Sequence, residues 1–401
     1  MGVTFERGPF STCSACGMNT FGLLRAGGHS LTMRCSNCRF TATEQLPNLE
    51  KKVIYLDQFA FSLLFKIESG GRLNPGHERF GKELYERLRH LVLRQQIILP
   101  HSDIHRDETT VFHSAAELRE AYEFFGGDAR LTDSSEVELG QIQDAAKAYL
   151  AGEELDLDFS VDEVLEESRN EWLSDMHISV RSDFSMFADG IRRERDTVRA
   201  DFEALAASWL AEKPSFHEVL KRELDAVLPA KINALTTTER NKQADDPDIV
   251  FDAASSPIQR ETRLLLRHFS EYGVTAEQIG EAIREFWGSA TYKQLPHHRI
   301  SSYLFAAVAR RVIYGQKTII DRGLMNDIKA IAVYAPYVDA MFIDKTTEQL
   351  LREQPLRNEL SYKARIYSFS SGDEFLEYLA DIERDTPSEV ADLAHRIYGQ
   401  C

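Results

Sequence analysis

The sequence predicts an α/β protein whose parallel sheet is split by a long helical insertion and preceded by a small cysteine-rich ribbon. Three observations carry this expectation. Short apolar runs alternate with helical patterns in the regions before and after the middle of the chain, the middle shows helical spacing alone, and two Cys-x-x-Cys pairs stand near the N-terminus. The 401 residues, 43% of them hydrophobic, can bury a large core and read as two or three domains. The expected divisions are a ribbon over 1–48, an α/β core over 49–112 and 311–401, and an insertion over 113–310.

Taken in order, residues 11–45 form a β-rich module, and Pro47 opens a linker into Lys51-Lys52. Val53-Ile54-Tyr55-Leu56 is a continuous apolar run ending in Asp57, as expected of a buried parallel strand. Helix follows over 59–67, closed by Gly70-Gly71, and again over 77–94. Gln96 to Pro100 is a second strand, and Ser102 caps a third helix. Apolar residues at three- and four-residue spacings then predict helices over 139–150, 161–173, 184–210 and 216–228. Thr236 to Pro257, rich in Thr, Ser, Asp and Pro, is the expected flexible interval. Helix returns at 275–287 and 299–314. The alternation resumes with helix 323–334, strand Ala340 to Ile343 ending in Asp344, helix 346–353, strand Ala364 to Phe369 and a last helix over 373–382.

The net charge of −17 argues against a protein that coats nucleic acid nonspecifically. Residues 1–52 are the exception, with six basic side chains against three acidic ones. The segment 133–175 carries fourteen acids, read as a solvated helical face. There is no apolar run of about 18 residues and no basic-then-apolar leader, so the expected location is cytoplasmic. Glu6 stands where a myristoylation pattern wants Ser or Thr.

Cys13-Ser-Ala-Cys16 and Cys35-Ser-Asn-Cys38 have the spacing of two zinc knuckles on a hairpin, because a two-residue gap lets both thiolates of a pair converge on one ion. Four thiolates leave no open coordination position, so the expected zinc is structural. Disulfides are the alternative, disfavoured without an export signal. Cys401 stands alone.

Asp57 and Asp344 both end apolar strands, and the carboxyl ends of a parallel sheet are where ligands bind. Carboxylates gathered there repel unless a cation compensates, and hard cations such as Mg²⁺ or Mn²⁺ prefer oxygen ligands. On a helix from Ser102, positions 102, 105, 108 and 112 share one face, which makes Glu108 the candidate. Asp103 and Asp107 are the alternatives, and His105 reads as a core histidine before a ligand. Asp327 lies beside the buried stripe Leu324, Ile328, Ile331 and Ala335. Asn326 and Asp339 are possible outer-shell groups, and Arg106, His105 and Lys345 possible phosphate contacts. A phosphatase acting through an aspartyl-phosphate wants a second Asp two residues after Asp57, where Phe59 stands.

In this order, Val53-Ile-Tyr-Leu-Asp57, Ile98-Leu-Pro-(x)7-Glu108, Asn326-Asp327-(x)2-Ala330-Ile-Ala and Phe342-Ile-Asp344 resemble the acidic motifs of PIN-like nucleases. The likeness covers about 51–112 and 313–383. It implies a three-layer α/β/α core and Mg²⁺- or Mn²⁺-dependent phosphodiester hydrolysis, usually of RNA and sometimes of branched or single-stranded DNA. Asp57, Glu108, Asp327 and Asp344 are then the metal-holding catalytic set. The long insertion and the ribbon depart from that family, and the insertion is an expected protein-binding element. The competing expectation is a zinc-ribbon adaptor with an inactive fold of this kind.

Overall fold

Two four-stranded sheets, one antiparallel and one parallel, organise the chain. The computed structural model describes residues 10–111, 115–127, 129–166, 168–172, 188–244, 253, 256–316 and 323–398. Phe112, Cys401 and the expected helical residues 173 and 184–187 lie outside them.

The antiparallel sheet, in order β1-β2-β3-β4, consists of β1 (Phe10–Ser11), β2 (Phe21–Gly27), β3 (Ser30–Cys35) and β4 (Thr41–Gln45). Its register pairs Leu23 with Met33 and Ala26 with Leu31. Leu31 and Met33 thus share a face, and that face packs with Leu46, Leu49 and Trp172. The Trp172 indole N–H donates to the Pro47 carbonyl at 2.6 Å, and its backbone N–H to Gly28 at 3.1 Å.

The parallel sheet runs β6-β5-β7-β8. Strand β5 (Lys52–Leu56) leads into α1 (Gln58–Glu68) and α2 (Glu78–Leu93), then β6 (Ile97–Ile98), α3 (Asp103–Val111) and α4 (Ala115–Gly126). The strand expected over Gln96 to Pro100 is shorter than the apolar run suggests. Only Ile97 and Ile98 pair with β5, and the chain then turns so that His101 bridges Arg130. That turn brings the Leu99 carbonyl against α4. A Cβ on Gly126 would stand 2.4 Å from that oxygen, a backbone atom that cannot step aside. Gly126→Ala is expected to cost about 1–3 kcal/mol, read as a lowered denaturant midpoint at unchanged slope.

The insertion contributes α5 (Ser134–Ala151), α6 (Ala188–Glu212), α7 (Phe216–Asn241), α8 (Pro257–Glu271), α9 (Ile279–Gly288) and α10 (Pro296–Ile313). Two expectations are corrected here. Residues 161–166 are a single 3-10 turn, Val161–Glu163, followed by a bridge between Leu131 and Leu165, not the start of a helix over 161–173. The apolar spacing was real, since Val161, Val164 and Leu165 are all buried, but turn and bridge satisfy it. The interval from Thr236 begins as helix, because α7 runs on to Asn241 with Thr238 buried, so packing overrides the threonine run.

The second part comprises α11 (Leu324–Tyr334), β7 (Ala340–Phe342), α12 (Lys345–Arg352), β8 (Arg365–Tyr367), α13 (Gly372–Asp385) and α14 (Ser388–Tyr398). Strand β8 stops at Tyr367 because Ser368 turns to cap the next turn, and its hydroxyl donates to the buried Glu348 carboxylate at 2.6 Å. Helix α14 follows the one expected to be last. Its Val390, Leu393 and Ala394 complete the apolar cluster beneath the antiparallel sheet.

Side chains alternate across β5 and β7. Val53, Tyr55, Met341 and Ile343 face a core built from α6, α7, α10 and α11, whereas Ile54, Leu56, Ala340 and Phe342 face α1, α2, α4 and α13. Helices therefore cover both faces, and residues of the expected insertion contribute to both. No helix among the described residues is long and apolar enough to cross a membrane.

Candidate metal centres

The four cysteines of the antiparallel sheet converge. Cys13 and Cys38, and Cys16 and Cys35, have their sulfurs 3.7 Å apart. Disulfide sulfurs would be about 2.05 Å apart, whereas four thiolates each about 2.3 Å from a tetrahedral ion stand about 3.8 Å from one another. The set thus fits a metal ion such as zinc. Two equivalent turns deliver it. The N–H of Gly17 reaches the Cys13 carbonyl at 2.9 Å, and that of Arg39 reaches Cys35 at 3.0 Å, with φ of 70° and 61° respectively. Glycine adopts that geometry without strain; Arg39 does not. The Cys35 thiol is held down to about 6, first by the Cys38 backbone N–H and then by the Thr20 hydroxyl. The Cys16 thiol is also lowered, first by the Met18 backbone.

Two of the acidic candidates stand at the other sheet. Leu56 pairs with Phe342, so Asp57 and Asp344 follow adjacent parallel strands at their carboxyl ends. Each caps the next helix. Asp57 Oδ1 accepts from the Gln58 N–H at 2.7 Å, and Asp344 Oδ2 accepts from the Thr347 N–H at 2.9 Å and its hydroxyl at 3.2 Å. Glu108, one helix beyond β6, accepts from the Asn326 amide at 2.8 Å. That bond ties α3 to the first turn of α11, where Asp327 is the next residue. Burial, then the charges of Asp57 and Glu108, push the Tyr55 hydroxyl well up. Burial also raises Glu108 itself, against the pull of Asn326 and then Arg195.

These acids are arranged more widely than the thiols. Among the described residues, the four cysteines are the one set of three or more potential ligands whose atoms all lie within 4.8 Å of one another. Asp57 and Asp344 each turn onto a helix N-terminus, and Glu108 onto an amide.

The neighbouring candidates have other work. Asp103 is buried and accepts from the Ser134 hydroxyl at 2.5 Å, the Ser134 N–H at 3.1 Å and the Tyr334 hydroxyl at 2.9 Å. Burial alone would raise its carboxyl, but Ser134, Lys329 and Tyr334 together lower it. A depressed carboxyl stabilises above its unfolded value near 3.8 and loses that contribution as pH falls through the folded one. Asp103→Asn is therefore expected to cost about 1.5–3 kcal/mol at neutral pH, with the difference shrinking in acid denaturation series. Asp107 pairs with Arg106 at 3.5 Å near the surface. His105 is fully buried against Tyr55 at 4.8 Å, and its Nδ1 accepts from the Ser102 N–H at 3.1 Å. Burial, then His101, lower it to about 3. Asp339 accepts from the Val53 N–H at 2.9 Å and sets the register of β5 against β7. Lys345 is exposed, and Arg106 also approaches Asp133 at 3.6 Å.

One neighbour escaped the reading of the sequence. The charge of Arg195, on α6, acts to pull the Glu108 carboxyl down. Nothing in the local sequence distinguishes it from Arg192, Arg193 or Arg199, and only the packing of α6 on α3 selects it. Comparison with family models, curated proteins and solved structures yields no match to the chain.

Proposed function

We propose that this protein is a metal-dependent nuclease of the PIN-like kind, with RNA the favoured substrate over DNA, and that its ribbon holds one structural zinc. The observation that carries the reading is the placement of Asp57 and Asp344 at the ends of adjacent parallel strands, with Glu108 linked through Asn326 to the helix bearing Asp327. An all-oxygen donor set suits Mg²⁺ or Mn²⁺. When bound, such an ion supplies positive charge that acidifies a water and offsets charge on the scissile phosphate. The chain's own part is to hold that charge in place. Helix N-termini and the Asn326 amide each engage one oxygen of Asp57, Asp344 and Glu108, orienting the carboxylates. Hydrolysis then forms one P–O bond to the water oxygen and breaks one ester P–O bond, with the departing oxygen taking up a proton.

The wider spacing of the acids favours a second reading, an inactive fold of this kind that serves as an adaptor through its helical insertion. Incubating purified protein with labelled RNA, single-stranded DNA and duplex DNA, each with Mn²⁺, Mg²⁺ or EDTA, separates the two. Cleavage that needs the divalent ion and is strongest on RNA is the expected result; no cleavage of any substrate supports the adaptor.

A further inference from the structure

The helical insertion does more than cover a face of the sheet. Helix α6 packs on α3, the helix of Glu108, and the charge of its half-buried Arg195 acts on the Glu108 carboxylate. The Arg195 Nη2 is shielded from solvent and has no hydrogen-bond acceptor. Gln58 follows Asp57 directly, and its shielded Nε2 also has none. Asp57, Asp344 and Glu108, by contrast, accept from Gln58, Thr347 and Asn326 respectively. Among the described residues Arg195 forms no ion pair with Glu108, which accepts instead from Asn326.

An N–H of a cation held in a shielded place wants an anionic acceptor, and the fork of a guanidinium matches two oxygens of a phosphate. We propose that Arg195 contacts non-bridging oxygens of the phosphate in the nucleic-acid substrate, so that the insertion completes the site rather than merely covering it. The proposal rests on the nuclease reading for its substrate. The carboxylates would hold the metal from the sheet side, and Arg195 would draw the phosphate in from the insertion side. A lysine at this position would keep the charge but lose the two-pronged geometry.

The test uses full-length wild type, Arg195→Met and Arg195→Lys. Mn²⁺ affinity is read by electron paramagnetic resonance, cleavage with labelled single-stranded RNA in Mn²⁺, and affinity for the same RNA by fluorescence anisotropy in Ca²⁺. The expected result is unchanged Mn²⁺ affinity in Arg195→Met, cleavage lowered on the order of a hundredfold, and weaker RNA binding. Arg195→Lys should recover binding more than cleavage. Wild-type cleavage and RNA affinity in Arg195→Met would overturn the proposal. So would faster cleavage with tighter Mn²⁺ binding, which would make Arg195 a plug in the metal site. If wild type neither binds Mn²⁺ nor cleaves, the nuclease reading fails on its own, and the RNA affinities alone decide whether Arg195 contacts phosphate. Should Arg195→Met not fold, the Lys variant carries the comparison.

Discussion

Cys35→Ser is expected to release the zinc, one ion per chain, and to unfold residues 11–45. A sheet of this size buries too little apolar surface to stand alone, and the described core beneath it consists of Leu31, Leu46, Leu49 and Trp172 closed by α14, with Met33 at its margin. Metal binding at such sites contributes about 10–16 kcal/mol, and that free energy is folding free energy. Losing one of four ligands should abolish it. Trp172 reports the event, because it is fully buried and its indole N–H is bonded to Pro47. Its fluorescence should shift to the red in the variant while the α/β core still unfolds cooperatively at higher denaturant. Metal analysis of wild type kept under reductant checks the premise. Protein without zinc and with intact disulfides by mass spectrometry would sink it.

Neutralising any one of Asp57, Glu108, Asp327 and Asp344 is expected to lower metal-dependent cleavage on the order of a hundred- to a thousandfold, with double variants losing little more. Folding should part company with activity. Asparagine caps a helix as well as aspartate does, so Asp57→Asn and Asp344→Asn retain the bonds to Gln58 and Thr347 while relieving charge repulsion. Their metal-free stability should equal or slightly exceed that of wild type. Asp57→Ala, which loses the cap, should cost about 1 kcal/mol. Glu108→Gln still accepts from Asn326 and should fold normally. Four single variants that all cleave at the wild-type rate would show that no such site exists.

Strands β5, β6 and β7 were legible because each lies in a continuous apolar run with nowhere to go but a buried sheet, whereas β8 is shorter in apolar residues and opens on the exposed Arg365. The ends were less so. Leu99 and Pro100 look like strand yet serve a turn, since only a partner strand decides where pairing stops. Helix α14 carries Val390, Leu393 and Ala394 at helical spacing, a signal present in the sequence whose burial depends on the distant antiparallel sheet that it packs beneath. In the site, Glu108 was chosen by its helical face, and the structure places it on Asn326 while Asp103, at the helix start, is committed to Ser134 and Tyr334. Arg195 was illegible for a different reason. Amphipathic spacing says which residues are outside a helix, but not which distant element that outside meets.

Strands β5 and β7 are hydrogen-bonded neighbours although the residues they join, Leu56 and Phe342, are separated by most of the chain. A ribosome emits about 5–20 residues per second, so on the order of tens of seconds pass between the emergence of the two. Throughout that interval β5 can pair with β6 alone, and its other edge stays open. The insertion must therefore condense around a half-built sheet, and contacts of such long sequence range make the final closure slow. The four cysteines all emerge at the beginning of synthesis, but Asp57 and Asp344 reach the ends of neighbouring strands only near its end. The four-thiol set is thus present in the nascent chain long before Asp57 and Asp344 stand at the ends of neighbouring strands.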